Sequence, residues 1–323
     1  MKDSESVERK EAAEEPQGLR VRRLTFTVPP EKAGQKVDTL LRRELRLSGT
    51  VIRRAKWLED GILLDGVRVY TSHKAEEGQV LSIRISDPEL RSGVVPVPGP
   101  LNIVYEDADI LVINKAPGML VHPGAGHFSD TVGNYLMDYY RRQKVEADFH
   151  PVHRLDKGTS GLMVVAKHPH AQERLKRQLH TPDFRRIYLA VCMGRPSAEA
   201  GVIDAPIGRS ERSILAREVR PDGQPARTEY RILAAGAWGS LLQLELATGR
   251  THQIRVHMAY LHCPLAGDFL YGSEDGGLIS RPALHSWKLE LVQPVTGERL
   301  HFQIQPPEDM ARLLSRREFG GGM

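Results

Sequence analysis

The chain has 323 residues, 40% hydrophobic and 27% charged, with a formal net charge of +4 and a pI near 9.0. That length allows one large core or two unequal ones, and no apolar run approaches what a membrane span needs. The mild positive charge permits a polyanionic partner without requiring one; the polar N-terminus lacks a secretory signal, and with only Cys192 and Cys263 a reducing cytoplasm is expected rather than a disulfide framework.

Residues 1–23 are polar and charged, and predict a disordered tail. From Leu24 the pattern changes: Leu24, Phe26 and Val28 alternate as in a strand, Val37 to Leu47 and Val51 to Leu58 repeat as in two helices, and Ile62 to Val69 reads as a hairpin about Asp65-Gly66. Leu81, Ile83 and Ile85 add a last strand, closing a small domain over residues 24–86. Residues 87–100 contain Val-Val-Pro-Val-Pro-Gly-Pro and predict a stiff, extended linker.

A larger domain follows over residues 101–308. Ile110 to Asn114 and Leu162 to Ala166 read as buried strands, Thr131 to Arg142, His170 to Leu179 and Thr251 to Leu261 as helices. Further strands are predicted at Arg186 to Met193, Arg227 to Leu233, Leu241 to Leu246, Ala283 to Leu291 and Leu300 to Ile304. Strands and helices do not alternate strictly, so the fold class expected is α+β, a mixed, largely antiparallel sheet with flanking helices, rather than a doubly wound sheet. The Arg-rich end, residues 309–323, predicts a flexible tail.

The two helices of the small domain carry Lys36, Arg42, Arg43, Arg46, Arg53, Arg54 and Lys56 against Asp38 and Glu44. Such a cluster suits phosphates, whose neutralisation releases counterions; charge alone would more often mark a solvated helix face. The order of elements adds to it. Gly34 to Leu41, Leu47-Ser48 and Glu59 to Gly66 resemble the RNA-binding domain named after ribosomal small-subunit protein four, although Gly49 and Thr50 replace its usual polar-basic pair.

In the large domain, His153-Arg154-Leu155-Asp156-Lys157-Gly158-Thr159-Ser160-Gly161-Leu162 sets two cations, a carboxylate and two glycines before an apolar strand. A carboxylate fixed there is a nucleophile, a general base, a metal ligand or half of a salt bridge, and the last is the commonest outcome. The stretch resembles the signature of the RluA-type pseudouridine synthases. Ile110 to Pro123, Arg186 to Val191 with Tyr188, and Thr248 to His257 followed by Pro264 to Asp268 and Tyr271-Gly272 resemble that family's other motifs in their order. Gly124-Ala125-Gly126 further resembles the branch acting on large-subunit ribosomal RNA.

The resemblance implies an isomerase that breaks the uridine N1–ribose bond, turns the base and joins ribose to C5, with Asp156 as nucleophile, Arg255 as its cationic partner and Tyr188 against the uracil. It places Arg154, with His153, Arg250 and His252, toward the substrate. The target base must leave its stack to be reached. RNA is the partner implied, ribosomal RNA favoured and transfer RNA possible, with no membrane, no cofactor and a monomeric enzyme.

Other readings have less support. His252, His257, His262 and Cys263 lack the i, i+4 spacing of a helical zinc pair. Gly158-Thr159-Ser160-Gly161 is not a hydrolase elbow, and Asp156 lacks the extra carboxylates of a magnesium hydrolase. The serious alternative is a non-catalytic RNA-binding or ribosome-assembly factor on the same fold.

Overall fold

The computed structural model describes residues 19–211, 213–272 and 279–315. Its small domain is a four-stranded antiparallel sheet, order β1-β4-β2-β3, built from β1 (Arg23–Thr27), β2 (Ile62–Leu64), β3 (Val67–Arg68) and β4 (Val80–Arg84). Helices α1 (Val37–Arg43) and α2 (Gly49–Lys56) pack on it through Leu40, Leu41, Val51 and Ile52, all buried. Ser48 caps α2 by accepting the Val51 N–H. Asp65 and Gly66, both at positive φ, turn the hairpin.

The large domain comprises β5 (Ile103–Glu106), β6 (Ile110–Lys115), α3 (Val132–Arg142), β7 (His150–Pro151), β8 (Ser160–Ala166), α4 (Pro169–Gln178), β9 (Arg185–Met193) and β10 (Ala200–Asp204). It continues with β11 (Ile207–Arg209), β12 (Arg217–Val219), β13 (Arg227–Ala235), β14 (Gly239–Leu246), α5 (Gln253–Tyr260), β15 (Leu284–Val292), β16 (Arg299–Gln303) and α6 (Glu308–Leu314). Its main sheet runs β10-β13-β14-β9-β15-β8-β6-β5, with β16 on β15 and β7 on β8. Every pairing is antiparallel except β15 with β8. The expected α+β class therefore holds.

Strands β6 and β8 are apolar on both faces because both faces are covered. Leu111, Ile113, Met163 and Val165 join one core with α3 and α5, while Ile110, Val112, Leu162 and Val164 join a second with α4.

Three boundaries differ from the sequence expectation. Residues 1–18 of the expected tail lie outside the described residues, but residues 19–23 are built into the fold: Arg20 bridges to Val145, and Arg22 pairs with buried Asp109 at 2.7 Å. The linker residues are strapped down, since Asp148 accepts the N–H groups of Arg91 and Ser92 and Val97 donates to the Asn134 carbonyl. The C-terminal tail was expected to fray from 309, but α6 buries Met310 and Leu313 against Leu189, Val191 and Leu241. An apolar pair three residues apart on a single helical turn is too short a pattern to stand out in sequence; residues 316–323 lie outside the described residues.

Candidate active site

The Asp156 loop is shaped by what flanks it. A turn closed by the Thr159 N–H on the Asp156 carbonyl (3.1 Å) leads straight into β8. Gly161 then has φ +112°, and a Cβ there would lie 2.3 Å from the Ser286 carbonyl oxygen. Only glycine lets β15 run alongside in parallel, pairing Ser286 with Gly161. The same Ser286 faces Tyr188 across the antiparallel β15–β9 ladder. One strand thus brings the Asp156 loop and Tyr188 to the same end of the sheet.

Two buried cations pin the loop. Lys115 Nζ donates to the carbonyls of Ala116 (2.9 Å), Met119 (2.8 Å) and Lys157 (3.3 Å). From the other side Arg281 Nη1 donates to the Gly158 carbonyl at 3.0 Å, while its remaining nitrogens grip Asp309 of α6 at 2.6 and 2.8 Å. Burial pushes Lys115 down to about 7, with the Asp156 carboxylate acting against that shift. Three carbonyl acceptors match the three donors of an ammonium, which also favours the charged form.

Among the described residues the Asp156 carboxylate makes no hydrogen bond or ion pair, and the electrostatic influence of that carboxylate reaches Lys115, Tyr188, His252, Arg255 and Tyr271. The expected direct pairing of Arg255 with Asp156 is corrected here. Arg255 is buried and bonded bidentately to buried Asp268, at 2.7 Å from both Nε and Nη2. Burial works against its charge, but Asp268 and then Asp156 outweigh it and raise the pKa. Asp268 compensates the buried guanidinium, and Asp156 acts on it only through its field, without an ion pair. Asp268 Oδ1 also accepts the N–H groups of Leu270 and Tyr271.

Tyr188 is buried, and burial raises the pKa of its hydroxyl against the opposing pull of Arg186 and a hydrogen bond with Ser286. Asp156 and Tyr188 line a cleft of about 220 Å³, partly open to solvent. Arg154 lines it too, exposed and without an ion pair among the described residues. Arg250 is anchored there by its Nε on the Pro225 carbonyl at 3.0 Å.

The other two residues expected to face substrate have internal duties. His252, at φ +59° before α5, bonds through Nδ1 to the Tyr271 hydroxyl at 2.8 Å. His153 Nε2 accepts the Val164 N–H at 3.3 Å, and burial, aided by Arg186, pushes its pKa down to about 3. Both ring nitrogens of His257 are likewise committed, to Thr228 and Ala205. Among the described residues no group of three or more His, Cys, Asp or Glu is placed to hold a metal ion.

Of the basic cluster, Arg42 pairs with Asp38 and Arg54 with Asp87. Lys36, Arg43, Arg46, Arg53 and Lys56 are exposed, with no ion pair among the described residues. Sequence reasoning missed Lys115, Arg186, Asp268 and Arg281. A lysine closing an otherwise apolar strand was a visible signal for the first; the other three depend on who their neighbours are.

The architecture matches that of a solved human protein, RNA Pseudouridylate Synthase Domain Containing 4, with a TM-score of 0.54 at 25% identity, covering 66% of this chain and 91% of that one. The family profile described as RNA pseudouridylate synthase matches residues 109–260. The chain is 39% identical to the Bacillus subtilis protein described as uncharacterized RNA pseudouridine synthase YjbO, over 84% of this chain and 95% of that one. It is 40% identical to ribosomal large subunit pseudouridine synthase D of Vibrio cholerae, over 91% and 95% of the two chains. The fold is thus that of an RNA-modifying isomerase. The chain belongs to the RNA pseudouridine synthase family.

Proposed function

We propose that this enzyme converts uridines of large-subunit ribosomal RNA to pseudouridine, with Asp156 as nucleophile acting on a nucleotide flipped out of its stack. The observation that carries this is a carboxylate without an internal bond among the described residues, lining a cleft beside a buried tyrosine and surrounded by cations committed elsewhere. Asp156 forms a transient covalent bond to the nucleotide while the N1–ribose bond breaks. The uracil turns, its C5 bonds to ribose C1′, the carboxylate departs, and the C5 proton is lost. Tyr188 stacks against the base, and its neutral phenol, its pKa raised by burial, orients the water that takes the C5 proton. Arg154 reaches from the rim toward the RNA. The resemblance of the V. cholerae enzyme named for the large ribosomal subunit favours that RNA.

The small domain acts as a second RNA grip, through Lys36, Arg43, Arg46, Arg53 and Lys56. Two measurements test the whole reading. RNA tritiated at uridine C5 should release label to water in step with product, with EDTA present. Pseudouridine maps of ribosomal and transfer RNA, with and without this gene, should differ in the large-subunit RNA. Tight RNA binding with no tritium release would make the chain a binder instead, and differences confined to transfer RNA would overturn the ribosomal assignment.

A further inference from the structure

Arg186 lies two residues before Tyr188 on β9, is 4% exposed, and lines the floor of the Asp156 cleft. The other buried arginines of the site each have an acid, Arg255 with Asp268 and Arg281 with Asp309. Arg186 has none among the described residues. Its Nη2 makes two long hydrogen bonds, 3.4 Å each, to the carbonyls of Leu246 and Thr248, and its Nε has no partner. Gly249 leaves room at the remaining nitrogen: a Cβ there would come within 2.9 Å of Nη1.

A second donor stands beside it. Because His153 Nε2 accepts the Val164 N–H, the ring proton belongs on Nδ1, and that N–H also has no partner. His153 lines the same floor, and Phe184 touches both, its ring 5.8 Å from the imidazole and 6.0 Å from the guanidinium carbon. Two donors flanking the Phe184 ring are thus buried without an acceptor.

A buried cation with no counterion is strongly unfavourable, and a neutral carbonyl of uracil would not compensate its charge. The anion that every nucleotide of an RNA brings is its phosphodiester, and guanidinium is suited to it by charge and shape. We propose that Arg186, with the His153 Nδ1–H, forms a phosphate subsite that takes the phosphodiester on one side of the target uridine. The subsite anchors the backbone while the base swings toward Asp156. This rests on the reading that the Asp156 cleft receives a uridine.

The test has two parts. In the first, a stem-loop converted by the wild-type enzyme is made with a neutral methylphosphonate 5′ or 3′ of the target uridine, and affinities are measured for wild type and Arg186→Met. One of the two linkages should weaken wild-type binding by about tenfold or more and weaken the variant by less than about twofold. Equal penalties in both proteins at both positions would overturn the proposal. In the second, full-length protein labelled with ¹⁵N-arginine is titrated with uridine, uridine 5′-monophosphate and uridine 3′-monophosphate. The Arg186 Nε–H resonance, assigned through Arg186→Lys, should move with a monophosphate and not with uridine. An identical response to uridine, or none to any of the three, would also overturn it. The titration needs no turnover, so a failed tritium release and a failed phosphate subsite remain distinguishable.

Discussion

On the small domain, Lys36, Arg43, Arg46, Arg53 and Lys56 stand exposed, on or beside two short helices. Around Asp156 the cations Lys115, Arg255 and Arg281 are buried, and each is bonded to named carbonyls or carboxylates. Exposed charges attract a polyanion from any direction, tolerate replacement and weaken with salt. Buried ones are held in one geometry, and removing either partner strands the other without water. In the function proposed above, the exposed set serves adhesion and the buried set placement.

The sharpest way to test that division is Asp156→Asn, which keeps the shape of the loop and deletes only the reactive oxygen. Turnover measured by tritium release should fall on the order of 10⁴-fold or more, while RNA affinity stays close to wild type. Comparable turnover in the variant would remove Asp156 as the nucleophile.

Next in size is Arg255→Ala. It leaves Asp268 buried and uncompensated, at a cost of about 3–5 kcal/mol, and the melting point should drop by roughly 10 °C. Asp268→Asn should lose stability for the same reason, and the double variant should lose less than the sum. A melting curve of Arg255→Ala that overlays the wild type would show that the pair does not hold this wall.

Acid should destabilise the fold through its buried histidines. Burial lowers His153 to about 3 and His170 and His285 to about 4, against about 6.5 when unfolded. The folded state binds fewer protons than the unfolded state between those values. The stability these rings contribute is complete above about 6.5 and is lost as pH falls through the window. Each contributes up to about 1.4 kcal/mol per pH unit crossed. Urea midpoints should fall between pH 7 and pH 4.5, and less so in His170→Gln; a pH-independent midpoint would show that these rings are not held neutral.

The smallest effect belongs to the exposed charges. Arg43→Ser, Arg53→Ser and Lys56→Ser should each weaken RNA binding slightly and flatten its salt dependence by a slope of about 0.7 per contact, with turnover at saturating RNA unchanged. Unaltered slopes in all three would take this face out of the RNA interface.

Legibility followed burial and range. Strands β6, β8 and β9 stood out because each carries an unbroken apolar run, Ile110 to Ile113, Leu162 to Ala166 and Leu189 to Met193. The strands β10, β11 and β12 were not foreseen; β10 and β12 are short and largely exposed or half-buried, so no apolar period marks them. Asp156, Tyr188 and Arg255 were singled out by resemblance, and the fold brings them into one neighbourhood.

What the sequence determined by itself is local: which segments are apolar enough to be strands, which polar residues start helices, and that a carboxylate stands in a glycine-flanked loop. Only the tertiary structure decided who pairs with whom. Asp268 rather than Asp156 holds Arg255, Lys115 and Arg281 hold the loop by its carbonyls, and Arg186 keeps its charge with no acid among the described residues. An ion pair is a contact between residues that can lie anywhere in the chain, and its partner is chosen by burial, because a charge taken out of water binds whichever opposite group the packing places within reach.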